Sequence, residues 1–156
     1  MNIGKYIKED FRRLSPEAPL KEVARLFFES GESVLPVVEE GGSLAGIITI
    51  DDFILIFLPD YIDMIRSVDF IHNFGALEKT SFSVEESLFV AEDLMREDVT
   101  VLDVDDSIMK AAAALHKYGL PRIPVVSDGR LVGMISQNDI CRAIYDLEGD
   151  QWHPQQ

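Results

Sequence analysis

The chain has 156 residues, 47% of them hydrophobic, and its 28 acidic against 14 basic side chains give a formal net charge of −14. That is enough apolar material for a globular core, while the acidic excess excludes phosphate-backbone binding, which needs clustered Lys and Arg; no nucleic-acid partner is expected. The longest apolar run, 53–58, is six residues, against roughly 20 for a membrane-spanning helix.

In chain order, Arg12-Arg13-Leu14 reads as a short strand. Pro19 suits the first position of a helix whose buried stripe is Leu20, Val23, Ala24 and Phe27, with Gly31 as its stop. Strands over 35–38 and 44–49 flank the turn signal Gly41-Gly42, and a second helix begins after Thr49. The segment 58–90 shows helical spacing at Leu58, Tyr61, Ile62 and Ile65 and a capping-box pattern at 83–86. It is expected to be a helical insert on the outside, with Phe70, Phe74 and Phe82 as satellite core or as a partner surface. Beyond it, 99–102 reads as a strand, Asp106 as a helix N-cap, and Ile108, Ala111, Ala114, Leu115 and Tyr118 as a helix ended by Gly119. Strands over 123–126 and 131–136 flank Asp128-Gly129, and a last helix follows Ser136.

The second half of that order repeats the first. At a spacing of about 88 residues, Leu14 pairs with Leu102, Ala24 with Ala112, Gly31 with Gly119, and Pro36-Val37-Val38 with Pro124-Val125-Val126. Dropping one residue from the loop 39–43 then superposes Leu44, Gly46, Ile48 and Asp52 on Leu131, Gly133, Ile135 and Asp139. The fold class is therefore α+β: two pseudo-symmetric β-α-β-β-α units with a helical insert between them and a cleft where they meet. The divisions are 1–57 and 91–148 for the units, 58–90 for the insert and 149–156 for a C-terminal tail.

Each copy ends in Gly-x-x-[Thr/Ser]-x-x-Asp: Gly46, Thr49, Asp52 and Gly133, Ser136, Asp139. Thr49 and Ser136 each close a strand and open a helix with an acid three residues on, which is a capping box with Asp in place of Glu and needs no ligand. The same arrangement suits one. A helix N-terminus offers free N–H groups and a positive dipole end to a phosphate. A hydroxyl adds a hydrogen bond, and a carboxylate one turn in is an acceptor for two vicinal ribose hydroxyls.

With these motifs and the Leu35-Pro36-Val37-Val38 and Arg122-Ile123-Pro124-Val125-Val126 strings, the sequence resembles a tandem pair of cystathionine-β-synthase (CBS) domains, a Bateman module. The resemblance covers 1–57 and 91–148. It implies two units packed sheet to sheet, with clefts for AMP, ADP, ATP or S-adenosylmethionine as regulatory ligands and no required cofactor. Asp52 and Asp139 would hold ribose, Thr49 and Ser136 would approach phosphate, and Arg13 and Val101 would lie near the bases. In similar modules a basic residue two places before the strand proline crosses to the opposite copy's phosphate. That place is Arg122 in the second copy and Val34 in the first, so Arg122 would serve the Asp52 site, which is expected to be the stronger phosphate site. The alternative for Arg122 is an exposed strand residue paired with a surface carboxylate. Asp51 is expected to point to solvent at its helix start.

No nucleophile with a base and an orienter is suggested, so no enzyme is expected. His72, His116 and His153 are far apart and fit no metal spacing. His116 reads as a half-buried helix residue and Cys141 as a small core hydrophobe that forms no internal disulfide. The first ten residues lack the apolar stretch of a signal peptide, which points to the cytoplasm. The expected assembly is a homodimer that transmits ligand occupancy to a regulated protein; a ligand-free dimerisation or docking scaffold is the alternative.

Overall fold

Gly31 and Gly119 adopt left-handed backbone, φ 67° and 62°, and end the first helix of each copy, a conformation open to a residue without a Cβ. The structure, a computed structural model, describes residues 1–58 and 88–149. A 3-10 turn at Ile3–Lys5 precedes α1 (Leu20–Ser30), β1 (Val34–Val38), β2 (Leu44–Thr49) and α2 (Ile50–Leu55). After 88 come α3 (Ala91–Leu94), β3 (Leu102–Asp103), α4 (Ile108–Tyr118), β4 (Arg122–Ser127), β5 (Arg130–Ser136) and α5 (Gln137–Glu148). The expected stripe at Tyr61, Ile62 and Ile65, the capping box at 83–86 and the aromatics Phe70, Phe74 and Phe82 lie outside the described residues, as do His72 and His153.

The two hairpins share one register. Val34 faces Thr49 and Val37 faces Gly46 in β1–β2, as Arg122 faces Ser136 and Val125 faces Gly133 in β4–β5, and each ladder slips at the next residue. Asp128 and Gly129 both carry positive φ, 50° and 75°, the backbone of a two-residue hairpin turn whose twist matches the strands.

The expected first strand of each copy is mostly absent. In the second copy only Leu102–Asp103 pairs, parallel to β4, and in the first only Leu14 bridges Val37. Leu14 N–H donates to the Pro36 carbonyl and Val38 N–H to the Leu14 carbonyl. One step further back, the parallel pattern would need an N–H from Pro36, or from Pro124 in the second copy, and proline has none. The ladder therefore stops. Two cap expectations shift by one residue. Pro19 is the N-cap of α1 rather than its first helical residue. Ser107 caps α4, its Oγ accepting from Lys110 N–H at 3.1 Å, while Asp106 accepts from Asp103 N–H and pairs with Lys110 at 2.7 Å.

The two sheets face each other across a shared core. Val34, Val38 and Ile47 of the first hairpin lie in one cluster with Ile123, Val125, Met134 and Ile135 of the second, and Leu131 N–H donates to the Gly42 carbonyl at 3.0 Å. A second cluster gathers Leu14, Val23, Leu26, Phe27, Leu35, Val37 and Ile48.

The leading segment of each copy lies on the other copy. Asn2 bridges Ser107, Lys8 bridges Met134 and Ile3 is buried in the second copy's core. Val90 bridges Pro19, Arg96 bridges Ile47 and Ala91 is buried in the first copy's core. Each bridge maps onto its counterpart by the sequence repeat. Two further expectations fail on the outer surface: Cys141 and His116 are exposed. On α5 the inward positions are Ile140 and Ala143, so Cys141 falls on the outer side of a 3.6-residue period. Among the described residues no helix is long and apolar enough to cross a membrane.

Candidate functional site

The motif glycines are required by a close backbone crossing. A Cβ on Gly46 would lie 2.5 Å from the Arg96 carbonyl oxygen, and one on Gly133 would lie 2.9 Å from that of Lys8. Two-way bridges hold these approaches: Arg96 N–H to the Ile47 carbonyl at 2.8 Å and its return at 3.1 Å, Lys8 N–H to the Met134 carbonyl at 2.9 Å and its return at 3.0 Å. A basic residue of each crossing segment is thereby set beside the opposite copy's motif, Arg96 by Asp52 and Lys8 by Asp139.

Both motifs form complete capping boxes. Thr49 Oγ1 accepts from Asp52 N–H at 3.1 Å and Asp52 Oδ2 from Thr49 N–H at 3.2 Å. Ser136 Oγ accepts from Asp139 N–H at 3.2 Å, and Asp139 Oδ2 accepts from Ser136 N–H at 2.8 Å and from its hydroxyl at 2.6 Å. Beyond the caps the copies diverge.

At the first motif, Arg96 grips the carboxylate with both arms, Nε to Asp52 Oδ2 at 2.9 Å and Nη2 to Oδ1 at 2.8 Å. Partial burial alone would raise the Asp52 pKa; hydrogen bonds from Arg96 and Thr49 outweigh it and hold the group below its ordinary value. Asp51 is exposed, as expected of a first-turn acid, and its charge adds to the hold on Arg96. Both Asp52 oxygens are engaged.

At the second motif the carboxylate stays open. Asp139 Oδ1 has no hydrogen bond among the described residues, and the side chain faces a cavity of about 230 Å³ lined by Lys8, Glu32, Ser33, Arg122, Ser136 and Asp139 among others. Lys8 makes no ion pair among the described residues. Arg122 is 9% exposed and forms an ion pair with Glu32. This corrects the expectation that Arg122 serves Asp52. Its strand register places it directly across from Ser136, so in this structure it belongs to the cleft of its own copy's motif. Sequence reading missed Arg96, Lys8 and Glu32; the first two fall at one register of the repeat, which is the signal that reveals them.

The two positions expected near a base, Val101 and Arg13, do not line the Asp139 cavity. Val101 lines a different cavity, of about 270 Å³, with Leu44, Ala45, Gly46, Glu97 and Val99. It therefore accompanies the first copy's motif, as the segment crossing requires. Arg13 is exposed with its guanidinium 4.8 Å from the Phe11 ring centre, and it lines neither cavity. No group of three or more metal-ligating side chains occurs among the described residues.

Chemically, the second cleft combines the N-terminus of a 12-residue helix, a hydroxyl, an open carboxylate oxygen and two cations, one of them paired with Glu32. Such a site fits a ligand carrying both an anionic group and hydroxyl donors. Among curated relatives, the chain is 30% identical over 141 residues to the MJ1225 protein of Methanocaldococcus jannaschii, covering 90% of this chain and 46% of that one. It is 27% identical over 157 residues to the chloroplastic CBS domain-containing protein CBSX1 of Arabidopsis thaliana, covering 94% and 65%. The chain thus spans less than two thirds of either relative. The crystal structure of MJ1225, a proposed archaeal homologue of g-AMPK, superposes with a TM-score of 0.74 at 30% identity, covering 92% of this chain and 48% of the other. That of CBSX2 in complex with AMP superposes with a TM-score of 0.71 at 20% identity, covering 95% and 98%. The CBS domain family model matches residues 3–58 and 90–146, the two units and their crossing segments, and the chain belongs to that family as a tandem pair.

Proposed function

We propose that the chain is a regulatory module that takes an adenosine-containing ligand in the Asp139 cleft and reports its occupancy to another protein. The observation that carries the reading is the open Asp139 oxygen beside Ser136, Arg122 and Lys8 in one cavity. Ribose would meet Asp139, and an anionic group would meet the Asn138 N–H at the start of α5, the two cations, and the Ser136 hydroxyl once it turns from Asp139. AMP, ADP, ATP and S-adenosylmethionine all carry the diol. The AMP in the CBSX2 structure supports AMP as the first probe. A homodimer in the cytoplasm and a separate regulated protein complete the reading, with no enzymatic activity.

A thermal-shift and calorimetric comparison of these ligands tests it, since binding confined to the folded state raises the melting temperature. Asp139→Ala should weaken AMP binding about ten-fold or more, as expected for a lost charge-assisted hydrogen bond. Unchanged affinity in a folded Asp139→Ala protein would overturn the reading. One observation favours the scaffold alternative: both capping boxes are complete without a ligand. A chain that binds none of these ligands yet dimerises would establish it.

A further inference from the structure

Arg122 is a buried cation, and its partner comes from the other copy. Glu32 follows the left-handed Gly31 that ends α1, and its backbone N–H donates to Ser30 Oγ at 3.2 Å. From that loop its carboxylate reaches Arg122 inside the cavity that also holds Ser136 and Asp139. A guanidinium at 9% exposure requires a counter-charge, because removing the partner of a buried ion leaves the charge uncompensated. A carboxylate and a phosphate monoester present similar oxygen pairs to a guanidinium fork. The cleft cannot give Arg122 fully to both.

We infer that Glu32 is an in-chain occupant of the anion position, exchanged for the ligand's phosphate when the cleft fills. The inference rests on the reading of the Asp139 cleft as a nucleotide site and adds what occupancy does there. The incoming phosphate takes Arg122, a residue of β4, and releases Glu32, which belongs to the loop between α1 and β1. Binding at the second copy's motif is thereby felt at the end of the first copy's helix. Glu32 also sets specificity: a phosphate has to displace it, whereas adenosine, which carries none, does not.

Calorimetry on the full chain with AMP and with adenosine tests the exchange, using Glu32→Gln, which keeps the size of the side chain and removes the competing charge. AMP should bind about ten-fold more tightly than to the wild type, the scale of one charge-assisted contact no longer competed for, with adenosine unchanged. In thermal melts, Glu32→Gln should be less stable than the wild type without ligand, and inorganic phosphate should raise its melting temperature more than the wild type's. Glu32→Asp, which keeps the charge, should behave as the wild type in both measurements. AMP affinity unchanged or lowered in folded Glu32→Gln, with adenosine still bound, would overturn the exchange alone. If neither protein binds AMP or adenosine, the nucleotide reading falls; the exchange falls with it if phosphate also stabilises the two equally.

Discussion

A single oxygen atom explains why the motif begins with glycine. The Arg96 carbonyl lies 2.5 Å from where a Gly46 Cβ would be, and that carbonyl is held by Ile47 N–H. It cannot swing aside as a flexible side chain would. Gly46→Ala should therefore destabilise the fold by about 1 to 3 kcal/mol, the usual range for overpacking, read as a lower denaturant midpoint at unchanged slope. Gly133→Ala, with its nearest contact at 2.9 Å, should act in the same direction and less. Asp52 carries the other residue-scale expectation. Its pKa is held below the ordinary carboxylate value by Arg96 and Thr49, against the opposing effect of burial. The stability this contributes is present above an unfolded-state pKa of about 3.9 and is lost as pH falls through the lower folded-state value. Melting temperature against pH should accordingly drop more steeply below about pH 4 in the wild type than in Asp52→Asn.

At the scale of elements, the hairpins were readable and the strands before them were not. Ile47, Ile48 and Thr49 announce β2 by β-branched residues after a glycine turn, and its register follows from that turn. For 12–14 and 99–102 the local pattern looks equally extended, but pairing depends on a neighbour's N–H that Pro36 and Pro124 lack. The missing information sits in the partner strand. Caps shift for a related reason. Asp106 and Ser107 are adjacent residues of cap-forming type, and the choice is made by Asp103, whose N–H takes the Asp106 carboxylate and leaves Ser107 for Lys110 N–H. An N-cap of this kind contributes about 1 kcal/mol, too little for sequence alone to assign it to one of two neighbours. The candidate site divides in the same way. Thr49, Asp52, Ser136 and Asp139 are local and were legible, whereas Glu32 reaches the cleft only through packing between the copies.

The whole molecule is a repeat whose symmetry is broken by two cations. Lys8 and Arg96 occupy one register, each set by a backbone bridge beside the opposite motif. Arg96 closes its motif with a two-armed pair, and Lys8 leaves its own open. A ribose diol arriving at Asp52 would need the carboxylate lone pairs that the guanidinium already holds. Neutral hydroxyls are weaker donors to a carboxylate than a charged fork. On the proposed reading the two copies offer one usable cleft, and the chain should bind one AMP rather than two. Calorimetric stoichiometry per chain measures this directly: one for the wild type, one for Asp52→Asn, and one of about ten-fold lower affinity for Asp139→Ala. Two AMP molecules per wild-type chain, with one lost in Asp52→Asn, would show that Arg96 yields to the ligand and that the sequence symmetry survives in function.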